Sequence, residues 1–352
     1  MSTFKRFLQY YKPYKGIFFM DLFCALIMCI VDLSFPLILS YCTGQFFLNS
    51  SNEILKGIIV LGIGLLVMYV IRALCRYYVS CQGHVMGANM ESDMRQDLFN
   101  QYQRLSFSYY DKHNTGVMMS RVVSDLFDIC EFAHHGPENL FISLFKIVGS
   151  FIILATIYWP LALILLAVTV VMMVFSYSQN KKMRRTFMEN RKKIGSVNAS
   201  LQDSLGGIRV VQSFANEDIE IDKFNHSNME FLESKKDNYR VMGTFQGGNN
   251  FFQGLLYVTI IVFGGLFIAN GDLNPIVLAT FALYINVFVS PIEVLVEFTE
   301  MFQKGFSGFR RFEEVMNEVP EIQDSKNAKD LENVSGNIDF DHVSFQYNEN
   351  EK

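Results

Sequence analysis

Reactive cysteine motifs and an excess of one charge are both missing from this 352-residue chain. Its six cysteines include no C-x-x-C pair and lie mostly in or beside apolar stretches, so no zinc site or disulfide framework is predicted. The 30 Lys+Arg and 35 Asp+Glu residues give a formal net charge of −5 without any block of like charges. The chain also has only one tryptophan, so it offers neither a basic patch nor a set of stacking aromatic residues that would indicate a nucleic-acid partner. No small-residue cleavage motif follows the first apolar run, so we expect that run to be retained.

Long apolar runs dominate what is present. Hydrophobic residues make up 50% of the chain and charged residues 18%, which indicates an integral membrane protein rather than a soluble domain. A helical span needs roughly 20 apolar residues. Six segments approach that length: 17–40, 54–79, 139–158, 160–179, 244–269 and 275–298. The second is the weakest, because Lys56 and Arg72 bound a short uncharged stretch and would have to snorkel.

Lysine and arginine lie almost entirely on one side of these spans. Four precede span 1, six lie between spans 2 and 3 when Arg72 and Arg76 in the last part of span 2 are counted, twelve lie between spans 4 and 5, and six after span 6, whereas Lys56 alone lies on the opposite side. The positive-inside rule therefore predicts that both termini and both long loops are cytoplasmic.

The two long loops, about 80–138 and 180–243, have helical sequences. Residues 84–107, 180–205 and 218–240 are charged, nearly free of proline and spaced like helices, so each is expected to extend a membrane helix by roughly 35 Å. Residues 1–16 place Phe4, Phe7, Leu8 and Tyr11 on one face, which predicts an interfacial elbow helix, with a frayed tail as the alternative.

Two charges fall near the middle of predicted spans. Asp32 in span 1 and Lys146 in span 3 are expected to form an ion pair, which we favour as a structural pair over a substrate contact. Asp21 and Arg76 lie near predicted span ends, where snorkelling suffices.

Spans 5 and 6 each carry a polar stripe. Span 5 begins with Gln246, Asn249, Asn250 and Gln253 on one helix face among four glycines, which are expected to let neighbouring helices approach closely. Span 6 carries Asn286 and then, on one face, Glu293, Glu297 and Glu300. Together these stripes predict the inner mouth of a cavity that favours cationic or amphipathic molecules. The alternative is that Glu293 begins the solvated part of a cytoplasmic helix.

Three stretches carry a resemblance to a known family. They are LSFSYYDKHNTGVMMSRVVSD at 105–125, LGGIRVVQSFANED at 205–218 and GNIDFDHVSFQY at 336–347. With the order and spacing of the spans, they resemble the transmembrane half of an ATP-binding cassette (ABC) exporter. The implied fold is an all-α polytopic membrane protein, with six long transmembrane helices, cytoplasmic extensions, coupling helices and a short C-terminal β stub. The implied domains are an elbow helix (1–16), the six-span domain (17–310), a linker (311–335) and the start of a nucleotide-binding domain (336–352).

The resemblance also implies roles for individual residues. Coupling to the nucleotide-binding domain is expected from Tyr109, Tyr110 and Asp111 in the first loop and from Ile208, Arg209, Val211 and Phe214 in the second. An apolar tip beyond the reach of lipid suggests a protein interface, and Phe214 is the preferred anchor, although packing within the loop pair is an alternative. In the third stretch, alternation at Ile338 and Phe340 and again at Val343, Phe345 and Tyr347 predicts two short strands. Tyr347 is expected, by the resemblance, to stack on adenine.

A phosphate-binding string G-x-x-x-x-G-K-[ST] does not occur. We therefore expect that this chain alone has no catalytic residue, binds no cofactor and does not hydrolyse ATP, while ATP and Mg²⁺ would serve the full-length protein. Because an unfinished sheet would expose strand edges, a fragment of a longer product is favoured over a natural membrane-only subunit.

The implied function is substrate translocation in an ATP-driven exporter of the plasma membrane. The partner would be an identical or a different half-transporter, and the pair would move drug-like amphipaths, lipids or peptides by alternating access. Two alternatives stay open. One is an ATPase-free regulatory subunit that dimerises with a complete transporter, and the other is an ion-coupled secondary carrier.

Overall fold

The computed structural model describes residues 3–325, 327–330 and 335–344, apart from the side chain of Phe4. The described residues form ten α-helices: α1 Thr3–Phe7, α2 Lys15–Gly44, α3 Ser51–Tyr78, α4 His84–Arg104, α5 Phe107–Lys112, α6 Thr115–Ser120, α7 Leu126–Gly206, α8 Ile208–Ser213, α9 Glu217–Ala269 and α10 Pro275–Met316. Short 3₁₀ turns lie at Leu8–Tyr11 and Phe46–Leu48, and π-helical turns at Val79–Gly83 and Arg121–Asp125.

Five of these helical stretches are long and apolar enough to cross a membrane, and α7 supplies two crossings. Its backbone is non-helical at Tyr158 (φ −157°, ψ 95°), just before Pro160, whose ring cannot continue a helix without a kink. Tyr158 divides α7 into a first arm before it and a second arm after it. Phe132 on the first arm lies against Gly305 of α10, and Arg184 on the second arm donates to Gln303 at 2.7 Å. The two arms therefore fold back on each other, and the chain makes six crossings, as the sequence predicts.

The predicted helical extensions are also confirmed. The π turn Val79–Gly83 carries α3 directly into α4, so residues 51–104 are continuously helical. The second arm of α7 continues to Gly206, and α9 begins at Glu217. The end of the bundle that carries these extensions is called the extended end below.

The N-terminal segment packs on the protein. The Phe7 ring lies 5.7 Å from that of Phe132 and 5.1 Å from that of Phe309, measured between centroids. The Tyr11 hydroxyl donates to the backbone oxygen of Ala133 at 2.5 Å. Both side chains are buried, whereas Leu8 is exposed. These aromatic rings therefore bury their surface against α7 and α10.

Two hydrophobic clusters hold the bundle together. At the extended end, Met86, Met90 and Met94 repeat every four residues along α4 and pack in one cluster with Leu126 and Phe312. Within the spans, a second cluster joins α7, α9 and α10. There the buried Tyr284 hydroxyl donates to the backbone oxygen of Leu33 at 2.5 Å, which ties α10 to α2.

The predicted β stub is not supported. Residues 335–344 contain no strand, and the side chains of Ile338, Phe340 and Val343 are exposed. Alternation alone does not make a sheet when no neighbouring strand covers the apolar face, and no other described segment pairs with this one. Phe345 and Tyr347 lie outside the described residues.

Candidate functional site: polar cavities and loop tips

A charged triad lies inside the membrane bundle. Lys146 Nζ of α7 lies 2.6 Å from Oδ2 of Asp32 on α2, and Arg72 Nε of α3 lies 2.7 Å from Oδ1 of the same carboxylate. The expected Asp32–Lys146 pair is therefore present. The expectation that Arg72 snorkels is wrong, because Arg72 reaches inward to the same anion. One turn earlier on α3, Tyr69 lies 6.0 Å from Phe35 between centroids, so this face of α3 packs on α2.

The triad opens onto a cavity of about 320 Å³. Asp32 and Lys146 line it together with Asn286 and Ser290 of α10. With Arg72 behind them, the triad holds two cations and one carboxylate, so the wall of the cavity borders a group with a formal surplus of positive charge. An unpaired intramembrane charge is costly, which makes the cavity a candidate for recognising a polar group.

A second cavity, of about 360 Å³, lies between α9 and α10. Most members of the two predicted stripes line it, namely Gln246, Asn249, Asn250, Gln253, Glu293 and Glu297, together with Phe245. Glu300 does not line it and pairs instead with Lys304 at 2.8 Å. Neither Glu293 nor Glu297 forms an ion pair with another described residue. This cavity is therefore acidic, with an aromatic ring in its wall.

Asn286 joins the two cavities. Its Oδ1 accepts from Gln253 Nε2 at 3.4 Å and from the Tyr257 hydroxyl at 3.3 Å, while the residue also lines the triad cavity. Gln253 belongs to the acidic cavity. A molecule that spans both cavities would therefore meet a cationic end, an amide in the middle and an acidic end.

One glycine explains how α9 approaches the second arm of α7. A Cβ on Gly248 would lie 2.1 Å from the Phe175 ring, so α9 can pack there only without a side chain. The neighbouring Asn249 is buried and accepts from Ser176 at 2.6 Å. By contrast, Gly247 has no atom within 4 Å of such a Cβ. Close helix approach therefore depends on Gly248 and not on the whole glycine group.

The second loop ends in an exposed apolar tip. Gly207 separates α7 from α8, and no residue of α8 is buried. Phe214, directly after α8, is 71% exposed. Ile208 and Arg209 are also exposed and Val211 is half-buried. Packing within the loop pair therefore leaves Phe214 uncovered in this chain.

The first loop is arranged differently from the second. Tyr109 is buried, with its ring stacked on His113 at 4.0 Å between centroids, and the Tyr110 hydroxyl donates to the backbone oxygen of Tyr102. Asp111 is exposed, and so is Phe107, to 87%. Tyr109 therefore shapes the tip from inside. Among the aromatic rings of this loop Phe107 is more exposed than Tyr110, which is 38% exposed, and the sequence pattern did not point to Phe107.

Six apolar crossings, intramembrane charges and long helical extensions define a polytopic α-helical membrane protein. Residues 18–292 match the family model of the ABC transporter transmembrane region, and the chain belongs to that family.

Relatives match over nearly the whole chain. An uncharacterized ABC transporter ATP-binding protein of Bacillus subtilis, YwjA, is 38% identical over 98% of this chain and 60% of its own length. An ATP-dependent lipid A-core flippase of Syntrophus aciditrophicus is 24% identical over 99% and 58%, and a putative multidrug export ATP-binding/permease protein of B. subtilis, YgaD, is 26% identical over 99% and 60%. The chain thus spans about 60% of the length of these relatives.

Proposed function

We propose that this chain forms the substrate-conducting membrane domain of an ATP-driven exporter. The observation that carries the proposal is the pair of polar cavities joined at Asn286 inside a bundle of this family. Polar side chains within a membrane domain are expensive and usually mark a pathway for substrate or ions. The relatives named for lipid flipping and multidrug export support an outward, ATP-dependent direction.

The proposed substrates are amphipathic cations. Glu293 and Glu297 supply negative charge without an internal cation to neutralise it, and Phe245 beside them supplies an apolar face. A lipophilic cation satisfies both features, because its charge replaces the missing counter-ion and its apolar part contacts the ring. The positive surplus near Asp32 would accept an anionic or carbonyl group at the far end of a longer substrate.

The conformational change driven by ATP is proposed to reach the membrane domain through the loop tips at the extended end. Two such membrane domains, identical or different, would each receive the closure of an ATP-binding domain through the tip at Phe214 and α8 and through Tyr110 and Asp111. The concentration of Lys and Arg on this side supports its placement in the cytoplasm of a plasma-membrane protein. The proposed order along the chain is the elbow helix 1–16, the membrane domain 17–310, a linker 311–335 and, from 336 onward, the ATP-binding domain, in which Tyr347 would stack on adenine and ATP would act with Mg²⁺.

The test is ATP-driven uptake of a fluorescent lipophilic cation by inside-out membrane vesicles that contain the protein as its gene encodes it. We expect uptake that requires ATP and falls at least tenfold in the double variant Glu293→Gln, Glu297→Gln. Glu189→Gln is the matched control, because Glu189 is an exposed glutamate on the extension of α7, outside both cavities. Uptake driven by an ion gradient without ATP, or suppression of a co-expressed complete transporter without uptake, would overturn the proposal.

A further inference from the structure

Three histidines meet where α4 begins beside the first arm of α7. Their ring centroids are 4.7 Å apart for His84 and His134, 4.9 Å for His84 and His135, and 4.1 Å for His134 and His135. One ring nitrogen from each lies within 4.8 Å of the other two. The packing of two helices thus brings together His84 and His134, which are 50 positions apart in the chain. No metal-binding spacing motif in the sequence predicts this cluster.

His134 presents an unused nitrogen to this cluster. The residue is only 5% exposed, and its Nδ1 lies 2.7 Å from the backbone oxygen of Cys130. A carbonyl oxygen only accepts, so Nδ1 carries the proton and the lone pair of the neutral ring is on Nε2. Nε2 is buried and has no partner among the described residues. A buried nitrogen without a partner is costly and indicates a missing ligand.

The hydrogen bond from Nδ1 to a backbone oxygen is also what a metal-binding histidine normally has. That bond fixes the ring orientation and the tautomer, and leaves Nε2 for the metal.

Carboxylates surround the second ring. Glu138 Oε2 lies 3.6 Å from His135 Nδ1, and Glu131 Oε2 lies 4.0 Å from His135 Nε2. Asp21 of α2 is also buried, at 3% exposure, and its Oδ1 has no partner among the described residues. The expectation that Asp21 snorkels to the membrane surface is therefore wrong. Glu131 and Glu138 therefore offer carboxylate oxygens that can orient the His135 imidazole.

The backbone of α4 is adapted to this arrangement. A Cβ on Gly87, one turn after His84, would lie 2.7 Å from Nδ1 of His134. A Cβ on Gly83, directly before His84, would lie 3.2 Å from Oδ1 of Asp21. Both glycines let α4 come close enough for His84 to meet the pair on α7.

We propose that His84, His134 and His135 bind one divalent transition-metal ion, of which Zn²⁺ is the best match, and that this ion braces α4 against α7. Three imidazoles with a nearby carboxylate are ligands suited to Zn²⁺ and poor ligands for Mg²⁺ or Ca²⁺, which prefer oxygen. Zinc–nitrogen bonds of about 2.0–2.1 Å bring ligand nitrogens to roughly 3.4 Å from one another.

The test uses the intact protein, purified through an affinity tag that contains no histidine, reconstituted in lipid nanodiscs and washed with chelator. Titration with ZnCl₂ or CoCl₂, followed by removal of free ion and elemental analysis, should find one ion per chain. We expect His84→Gln and Glu138→Gln to weaken binding at least tenfold, the latter through loss of an orienting carboxylate. His226→Gln is the matched control, because that histidine is 80% exposed in its side chain and lies outside the cluster.

One ion per chain after removal of free ion, lost in His84→Gln and retained in His226→Gln, supports the proposal. Fewer than about one ion in five chains, or equal binding by His84→Gln and the unchanged protein, overturns it. The variant His84→Gln decides the test, because His84 is exposed, whereas substitution of the buried His134 would disturb packing. Folding of each variant is checked by gel filtration. Binding is measured without ATP or substrate, so its failure is distinct from failure of the proposed transport.

Discussion

The guanidinium of Arg311 holds Asp125 with two hydrogen bonds, Nε to Oδ2 at 2.6 Å and Nη2 to Oδ1 at 2.7 Å. Asp125 ends the π turn before α7, and Arg311 lies near the end of α10, 186 positions later. Gln101 of α4 donates to the backbone oxygen of Glu318 at 2.7 Å. The end of α10 is therefore fixed to the first long loop at its extended end.

The first prediction concerns this bidentate contact. Arg311→Lys keeps the charge but loses the planar fork, so it should cost about 1–2 kcal/mol. Thermal unfolding in detergent should show a midpoint a few degrees lower. Arg310→Lys, at the exposed neighbouring position, should leave the midpoint unchanged. Equal midpoints for the two variants would show that the fork contributes nothing.

A second prediction uses two glycines with opposite surroundings. A Cβ on Gly305 would lie 2.4 Å from Cβ of Phe132 and 3.1 Å from the backbone oxygen of Asp128, so Gly305→Ala should destabilise by about 1–3 kcal/mol. Gly195 lies inside the helical extension of α7 with nothing within 4 Å, so Gly195→Ala should stabilise by roughly 0.5–1 kcal/mol. The sign of the change in thermal midpoint distinguishes the two, and a gain from Gly305→Ala would contradict the packing described here.

The intramembrane triad predicts an order of stabilities. Asp32→Asn leaves Arg72 and Lys146 facing each other without an anion and should cost on the order of 3 kcal/mol. Lys146→Met leaves the Arg72–Asp32 pair intact and should cost less. The double variant should be more stable than Asp32→Asn alone, because one of the two unpaired cations is removed. Thermal midpoints of the three variants in lipid nanodiscs measure this order, and a double variant less stable than both single variants would refute it.

Phe214→Ala separates coupling from folding. Because this ring is largely exposed, its loss should change stability by no more than about 0.5 kcal/mol. If the tip docks into an ATP-binding domain, ATP-driven uptake should nevertheless fall at least tenfold. Phe187→Ala, an exposed phenylalanine on the α7 extension, is the control and should retain uptake. Normal uptake by Phe214→Ala would remove this residue from the coupling path.

Local sequence was sufficient for the helices. The apolar windows, the Gly206-Gly207 break and the turn before Pro275 place several helix ends within a few residues of their positions in the structure, because each depends on neighbours along the chain. The far end of α10 is an exception, since the helix continues to Met316, beyond the apolar window that ends at 298 and into the predicted linker. Asn274 even caps α10, accepting from the backbone nitrogen of Ile276 at 3.0 Å.

Contacts between distant helices could not be predicted in the same way. Arg72 and Asp21 both carry charges near span ends, and periodicity does not tell which helix each one faces. Their inward positions follow from the packing of α2 with α3 and the π turn after it. The same holds for the burial of Tyr109 and the meeting of His84 with the His134–His135 pair. The polar stripes of α9 and α10 were recognisable because each stripe lies on a single helix, but their common cavity depends on how those helices pack.

The break at Tyr158 turns the second arm of α7 into a lever. Residues 160–206 form one helix about 70 Å long at 1.5 Å per residue, and it ends at the loop that carries Phe214. A tilt of about 5° around the break would displace that end by roughly 6 Å, more than one helical turn. A small rotation of this helix within the membrane would therefore produce a much larger displacement of the tip that carries Phe214.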